Sequence, residues 1–81
     1  PLDAISVYPN PTDNELFVDL KNTDATVNTI EILDLSGKVL QVVPAIQGAT
    51  MKMNTANLAQ GMYQIRIVSD EYAVTKRFVK K

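Results

Sequence analysis

The 81-residue sequence has no cysteine, no histidine and no tryptophan, and only three glycines. Without cysteine there is no thiol nucleophile and no disulfide, and without histidine the commonest general base and zinc ligand is missing. Ser6, Ser36 and Ser69 therefore have no imidazole to activate them. The glycines are isolated, so the sequence contains no phosphate-binding glycine loop. We predict that the chain is not an enzyme and binds no cofactor.

An excess of one charge and a long apolar run are also missing. The formal net charge is −1, which argues against binding nucleic acid through a basic face. No apolar stretch approaches the ~18 residues of a membrane span, so we expect no membrane insertion. Hydrophobic residues make up 46% of the chain and charged residues 21%, which is typical of globular proteins. The length predicts one small domain, because a second core does not fit.

Hydrophobic residues recur with a period of two, which is the pattern of half-buried β-strands. Seven short segments show it: 5–7, 15–20, 29–32, 39–43, 51–53, 63–67 and 73–79. The connections between them are too short for parallel crossovers. We therefore predict an all-β fold, a small antiparallel immunoglobulin-like β-sandwich of about seven short strands. A six- or seven-stranded barrel is the alternative.

The alternation also assigns faces to the apolar side chains. Those predicted to point inward are Leu16, Val18, Ile30, Ile32, Tyr63, Ile65 and Ile67. Phe17 and Leu33 then fall on outer faces, together with one of Val39 and Leu40. Scattered exposure of these residues is expected rather than one apolar binding patch, since single apolar residues are normal on surfaces.

Two local segments carry turn signals. Residues 34–37, Asp-Leu-Ser-Gly, match a type I turn and predict a hairpin between two antiparallel strands. Residues 55–60 could form one helical turn, with Asn54 or Thr55 as its cap. Asp13-Asn14-Glu15 offers oxygen ligands for calcium but lacks the spacing of an EF-hand, and turn chemistry explains it equally well.

The C-terminus is basic, because Lys76, Arg77, Lys80 and Lys81 supply half of the chain's eight positive charges. One interpretation is a charged edge strand that resists edge-to-edge aggregation. The other is an exposed tag that a receptor reads. Composition does not separate these two interpretations, and we favour the charged edge strand.

Three segments together resemble a known family. They are Val7-Tyr8-Pro9-Asn10-Pro11, the stretch IEILDLSGK at 30–38, and LAQGMY at 58–63 continuing to KRFVKK at 76–81. In this order they resemble the type A C-terminal sorting domain of the type IX (Por) secretion system of Bacteroidetes, over residues 5–81. Ser69-Asp70-Glu71-Tyr72 lacks a glycine expected there, and Arg77 stands where the family usually has lysine.

The resemblance supplies the candidate recognition residues: Tyr8, Pro9, Asn10, Pro11, Gly37, Gly61, Tyr63, Lys76, Arg77, Phe78, Val79, Lys80 and Lys81. Prolines 9 and 11 predict a stiff, extended corner after the first strand. Gly61 permits a bend or a close approach, and Tyr63 offers a ring to the core and a hydroxyl to a polar partner. These motifs could mark only the fold. The basic strand is the favoured recognition element, because it is terminal and accessible.

The resemblance implies that residues 5–81 are an address label for a cargo protein fused at the N-terminus, with residues 1–4 as the end of a linker. The cargo would fold in the periplasm and pass through the outer-membrane translocon to the cell surface or the medium. A sortase-like peptidase often removes such a domain.

Two alternatives remain open. The first is an extracellular β-sandwich adhesion or carbohydrate-binding module, with Phe17 and Tyr72 as aromatic candidates, because Tyr8, Tyr63 and Phe78 look structural. The second is a passive spacer that packs against the catalytic domain of its cargo. The oligomeric state is open, since exposed strand edges can pair between chains.

Overall fold

The period-two segments form seven β-strands in the computed structural model, which describes residues 4–81. The strands are β1 (Ser6–Tyr8), β2 (Glu15–Asp19), β3 (Val27–Leu33), β4 (Val39–Pro44), β5 (Thr50–Asn54), β6 (Gly61–Ser69) and β7 (Ala73–Lys80). They form an immunoglobulin-like β-sandwich, as predicted, and not a barrel. Of the predicted linker end at residues 1–4, residues 1–3 lie outside the described part of the chain.

The strands divide into two sheets. The smaller has the order β1-β2-β5 and the larger the order β4-β3-β6-β7, and all neighbouring strands are antiparallel. The fourth strand pairs with β3, whereas in an immunoglobulin constant domain the fourth strand belongs to the other sheet. As a result, β4 and β7 form the two edges of the larger sheet. Residues 4–81 contain no helix long and apolar enough to cross a bilayer.

The core lies between the inner faces of the sheets. Its buried residues are Ile5, Leu16, Val18, Leu20, Val27, Ile30, Ile32, Met53, Ile65, Ile67 and Phe78. Six of the seven residues predicted to point inward are among them, and Tyr63 packs against this cluster half-buried. Alternation places these side chains correctly because each sheet has one face against the core and one against solvent.

Leu33 was predicted to be exposed, and this prediction is wrong. It pairs with Gln64 and so lies on the outer face of the larger sheet, yet its side chain is only 3% exposed. The β3–β4 register shifts between Ile32 and Leu33, so Leu33 pairs with Val39 and not with Leu40. Val39 and Leu40 are both exposed, although only one of them was expected to be.

Two turns take the shapes that their sequences suggest. The hairpin turn at 34–37 is closed by the Gly37 N–H donating to the Asp34 carbonyl at 3.1 Å, and it joins β3 to β4. Residues 55–60 make a single turn, closed by the Leu58 N–H on the Thr55 carbonyl, and not a helix. Asn54 caps this turn, because its side-chain oxygen accepts the Ala56 N–H at 2.9 Å.

Candidate functional site

The outer edge of β7 is hydrogen-bonded to the segment that follows β1. The Val79 N–H donates to Asn10 Oδ1 at 2.9 Å, and the Val79 carbonyl accepts the Thr12 N–H at 2.8 Å. Two residues on, the Lys81 N–H donates to the Thr12 carbonyl at 2.9 Å. Thr12 and Lys80 form a parallel bridge. Two segments that the sequence flags separately therefore lie side by side in one hydrogen-bonded edge.

The proline corner, residues 8–11, begins on the outer face of the smaller sheet. The Tyr8 ring stacks on Phe17 of β2, with centroids 5.6 Å apart, and Tyr8 is 44% exposed. Alternation in β1 turns Val7 toward the core and Tyr8 away from it. The Tyr8–Pro9 and Asn10–Pro11 peptide bonds are both cis.

Thr12 anchors the proline corner, and the sequence gives no strong signal for it. Its side chain is fully buried, and its hydroxyl donates to the Glu15 carbonyl at the start of β2. The Thr55 hydroxyl lies 3.4 Å from it. A threonine beside a turn is the one local hint, since such hydroxyls often bond to nearby backbone. Its backbone bonds to β7 span the whole chain and leave no local pattern.

The side chains of β7 alternate between the core and the solvent. Phe78 is 1% exposed and stacks on Tyr63 of β6, with ring centroids 5.9 Å apart. Lys80, on the same face, is 8% exposed, whereas Arg77 points to the outer face and is exposed. The expectation that the whole basic strand is accessible is therefore wrong for Phe78 and Lys80, because a strand on a sandwich buries every second residue.

The four basic side chains have different surroundings. Lys76 Nζ donates to the Ile5 carbonyl at 3.1 Å, which links β7 to the residue preceding β1. Lys80 Nζ donates to the Lys81 carbonyl oxygen at 3.1 Å. Lys81 Nζ lies 3.9 Å from Asp13 Oδ2, in an exposed pair of small energetic weight. Arg77 and Lys81 are the positive groups that this strand presents to solvent.

The remaining motif residues shape the backbone. Gly61 has φ +150° and Gly37 has φ +93°, a region that residues with a side chain rarely adopt. A Cβ at Gly61 would have no atom of residues 4–81 within 4 Å apart from its chain neighbours, so conformation, and not a close approach, requires glycine there. The Tyr63 hydroxyl donates to the Ala59 carbonyl at 2.6 Å, as the predicted dual role of this ring requires.

The acidic residues considered for calcium lie near lysines. Glu15 Oε2 lies 3.2 Å from Lys52 Nζ, and Asp13 faces Lys81. Residues 4–81 contain no group of three metal-binding side chains placed to hold an ion.

A depression of about 360 Å³ lies at the β6–β7 hairpin, at the far end of β7 from the proline corner. Asp24, Asp70, Glu71 and Tyr72 are among the residues that line it.

Comparison with known proteins agrees with the motifs. A family model described as the secretion system C-terminal sorting domain matches residues 6–81. The matched region includes the proline corner and all of β7. A search of curated proteins finds no match to this chain.

Proposed function

Since the chain belongs to the family of type IX secretion C-terminal sorting domains, we propose that the export machinery reads it as a folded unit. Members of this family are sorting signals, fused behind an N-terminal cargo that they direct to the cell surface or the extracellular space. The proposed reading surface is the edge where the proline corner pairs with the end of β7.

The hydrogen bonds along this edge support the proposal. Asn10 and Val79 lie 69 residues apart in the chain and touch only when the sandwich has formed. Arg77 and Lys81 are exposed next to this contact, so charge and backbone shape are presented together. A receptor that reads this surface would distinguish folded cargo tails from unfolded ones.

We further propose that the domain is a substrate of the system and not a catalyst. The cargo would cross the outer membrane through the translocon, and a sortase-like peptidase would cut the chain before β1. Ile5 is only 2% exposed, and the Lys76 side chain holds its carbonyl. Because a peptidase needs an accessible, extended segment, the cut should fall N-terminal to Ile5.

An export assay tests the proposal. Residues 1–81 are fused behind a signal peptide and a fluorescent reporter, in a host with an active type IX system and in the same host without its outer-membrane translocon. Reporter should reach the surface or medium only in the first host. Arg77→Glu should reduce export severalfold, while the matched charge reversal Lys21→Glu, in the exposed β2–β3 loop, should not.

Folding is measured separately on the purified variants by urea unfolding. Periplasmic reporter in both hosts, with a folded domain, would contradict the sorting function. Export unchanged by Arg77→Glu would contradict the role of this edge alone. Deleting residues 78–81 is a poor test of recognition, because it removes Phe78 from the core.

A carbohydrate-binding role is the second candidate, and the Tyr8–Phe17 stack favours it. The two rings lie on the outer face of the smaller sheet, where stacked aromatic side chains can meet a sugar face. A glycan array with Phe17→Ala as the control decides this point. Binding that is lost in Phe17→Ala would support the second candidate, and no binding by the wild type would exclude it.

A further inference from the structure

The edge strand β4 has an unusual surface for an exposed edge. Residues 39–51 contain no charged residue, and β4 itself has the sequence VLQVVP. Of the eight large hydrophobic residues exposed within residues 4–81, four are Val39, Leu40, Val42 and Ile46. Of the residues predicted to be exposed, Phe17 lies on the smaller sheet and Leu33 is buried, so this apolar edge consists mostly of residues that the alternation did not single out. Edges of soluble proteins usually carry charges or a cover, and Pro44 is the one such device within β4.

The opposite edge of the same sheet is protected in two ways. Thr12 covers the end of β7 through backbone hydrogen bonds, and the Asn10 side chain accepts the Val79 N–H. The exposed Arg77 and Lys81 add positive charge along it, which repels a second copy of the same strand. Within residues 4–81 neither device is present on β4, so β4 is the open edge of the larger sheet in the described part of the chain.

The backbone direction of β4 follows from its pairing with β3. The Ala45 N–H donates to the Asn28 carbonyl at 2.9 Å, directly after the Thr29–Pro44 pair. Because successive residues of a strand turn their backbone groups to opposite sides, the N–H and C=O of Val42 point away from β3. Val42 is also 52% exposed, so a new strand could reach both its backbone and its side chain.

We propose that two copies of this chain associate through β4, antiparallel, with a two-fold axis at Val42. In that register Val42 meets its own equivalent, Leu40 meets Pro44, and Lys38 meets Ile46. In an isologous antiparallel contact the residues at the axis meet their own equivalents, so an uncharged stretch on both sides of the axis avoids pairs of like charge. β4 has such a stretch and β7 does not. The two larger sheets would join into one continuous sheet, whether or not the proposed export function holds.

Sedimentation equilibrium of residues 1–81 tests this inference. The average mass should rise from 8.9 kDa toward twice that value as the concentration increases from about 10 μM to about 1 mM, because small edge contacts bind weakly. Val42→Lys and Val42→Glu should each remain monomeric, since like charges would face each other at the axis. An equimolar mixture of the two should recover the higher mass. Arg77→Glu, on the opposite edge, should behave as wild type does.

Wild type that remains at 8.9 kDa throughout would overturn the proposal and leave the edge to a strand of another protein. The register would be overturned if Val42→Lys associated in the absence of Val42→Glu. It would also be overturned if the mixture of the two variants did not recover the higher mass. Circular dichroism checks that each variant folds. Amide hydrogen exchange of the wild type gives an answer without any variant. The Val42 amide should exchange about tenfold more slowly once most of the chain is dimeric, and unchanged exchange there at a raised mass would also overturn the proposal.

Discussion

The amide N–H of Val79 donates to the side-chain oxygen of Asn10 at 2.9 Å, across 69 residues of sequence. The asparagine oxygen takes the place of the carbonyl that a neighbouring strand would offer to the edge of β7. Thr12 continues this cover with two backbone bonds, to Val79 and to Lys81. The proline corner is therefore joined to the end of β7 by a short cover that closes one side of the sandwich.

Replacing Asn10 by alanine should lower the free energy of unfolding by about 0.5–1.5 kcal/mol, the usual value of one hydrogen bond. The Val79 N–H would lose its partner, while the Thr12 bonds remain. Urea unfolding of the two proteins measures the change. Asn22→Ala, in the exposed β2–β3 loop, is the control and should be nearly neutral. Equal stability of Asn10→Ala and wild type would show that this bond contributes nothing.

The fold could be predicted because its signal is local. Alternation in Leu16 and Val18, or in Ile65 and Ile67, reports directly which face meets the core. The candidate site could be predicted only in pieces. Nothing in the sequence indicates that the Asn10 side chain bonds to Val79, since such a contact depends on the folded path of both segments and not on spacing.

The errors also have physical causes. The sequence favours the strand that holds Phe78 as the recognition element because that strand is terminal, yet alternation against β6 turns the Phe78 ring inward onto Tyr63. Alternation predicts Leu33 on the surface, and it does lie on the outer face of the larger sheet, yet its side chain is buried beside a register shift that alternation does not reveal. Position along the chain predicts accessibility poorly when a terminal strand completes the core.

Phe78→Ala should unfold the domain or nearly so. Loss of a buried phenylalanine costs about 3–5 kcal/mol, and small domains have only about 5–15 kcal/mol in total. Thermal unfolding followed by circular dichroism measures this. Tyr63→Phe, which keeps the stacked pair and loses only the hydroxyl bond to Ala59, should cost about 1 kcal/mol. A cooperative transition near that of wild type in Phe78→Ala would contradict the central position of this ring.

The free energy of unfolding should fall in acid because the Asp34 carboxylate becomes protonated. Hydrogen bonds from the Ser36 hydroxyl and from the Lys38 and Ser36 amides to its Oδ1 hold the pKa of this carboxyl below its usual range. A depressed folded pKa adds stability above the unfolded value of about 3.9, and that stability is lost as the pH falls through the folded pKa. In urea unfolding over a pH series, Asp34→Asn should flatten the acid limb, and Asn22→Ala, which removes no carboxyl group, should leave it as steep as in the wild type. An equally steep acid limb in Asp34→Asn would refute the assignment.

Gln41→Met should stabilise the domain. Gln41 of β4 pairs with Ile32 and so turns toward the core side of the sheet, where its Oε1 is buried without a hydrogen-bond partner in residues 4–81. A buried acceptor left unpaired costs about 1–3 kcal/mol, and methionine has a similar length with no such group. We expect a gain of about 1 kcal/mol in urea unfolding, at the lower end of that range. Gln60→Met, at an exposed position before β6, is the matched control and should change stability little. A loss of stability in Gln41→Met would mean that the amide makes a bond, for example to water, that outweighs the apolar contact.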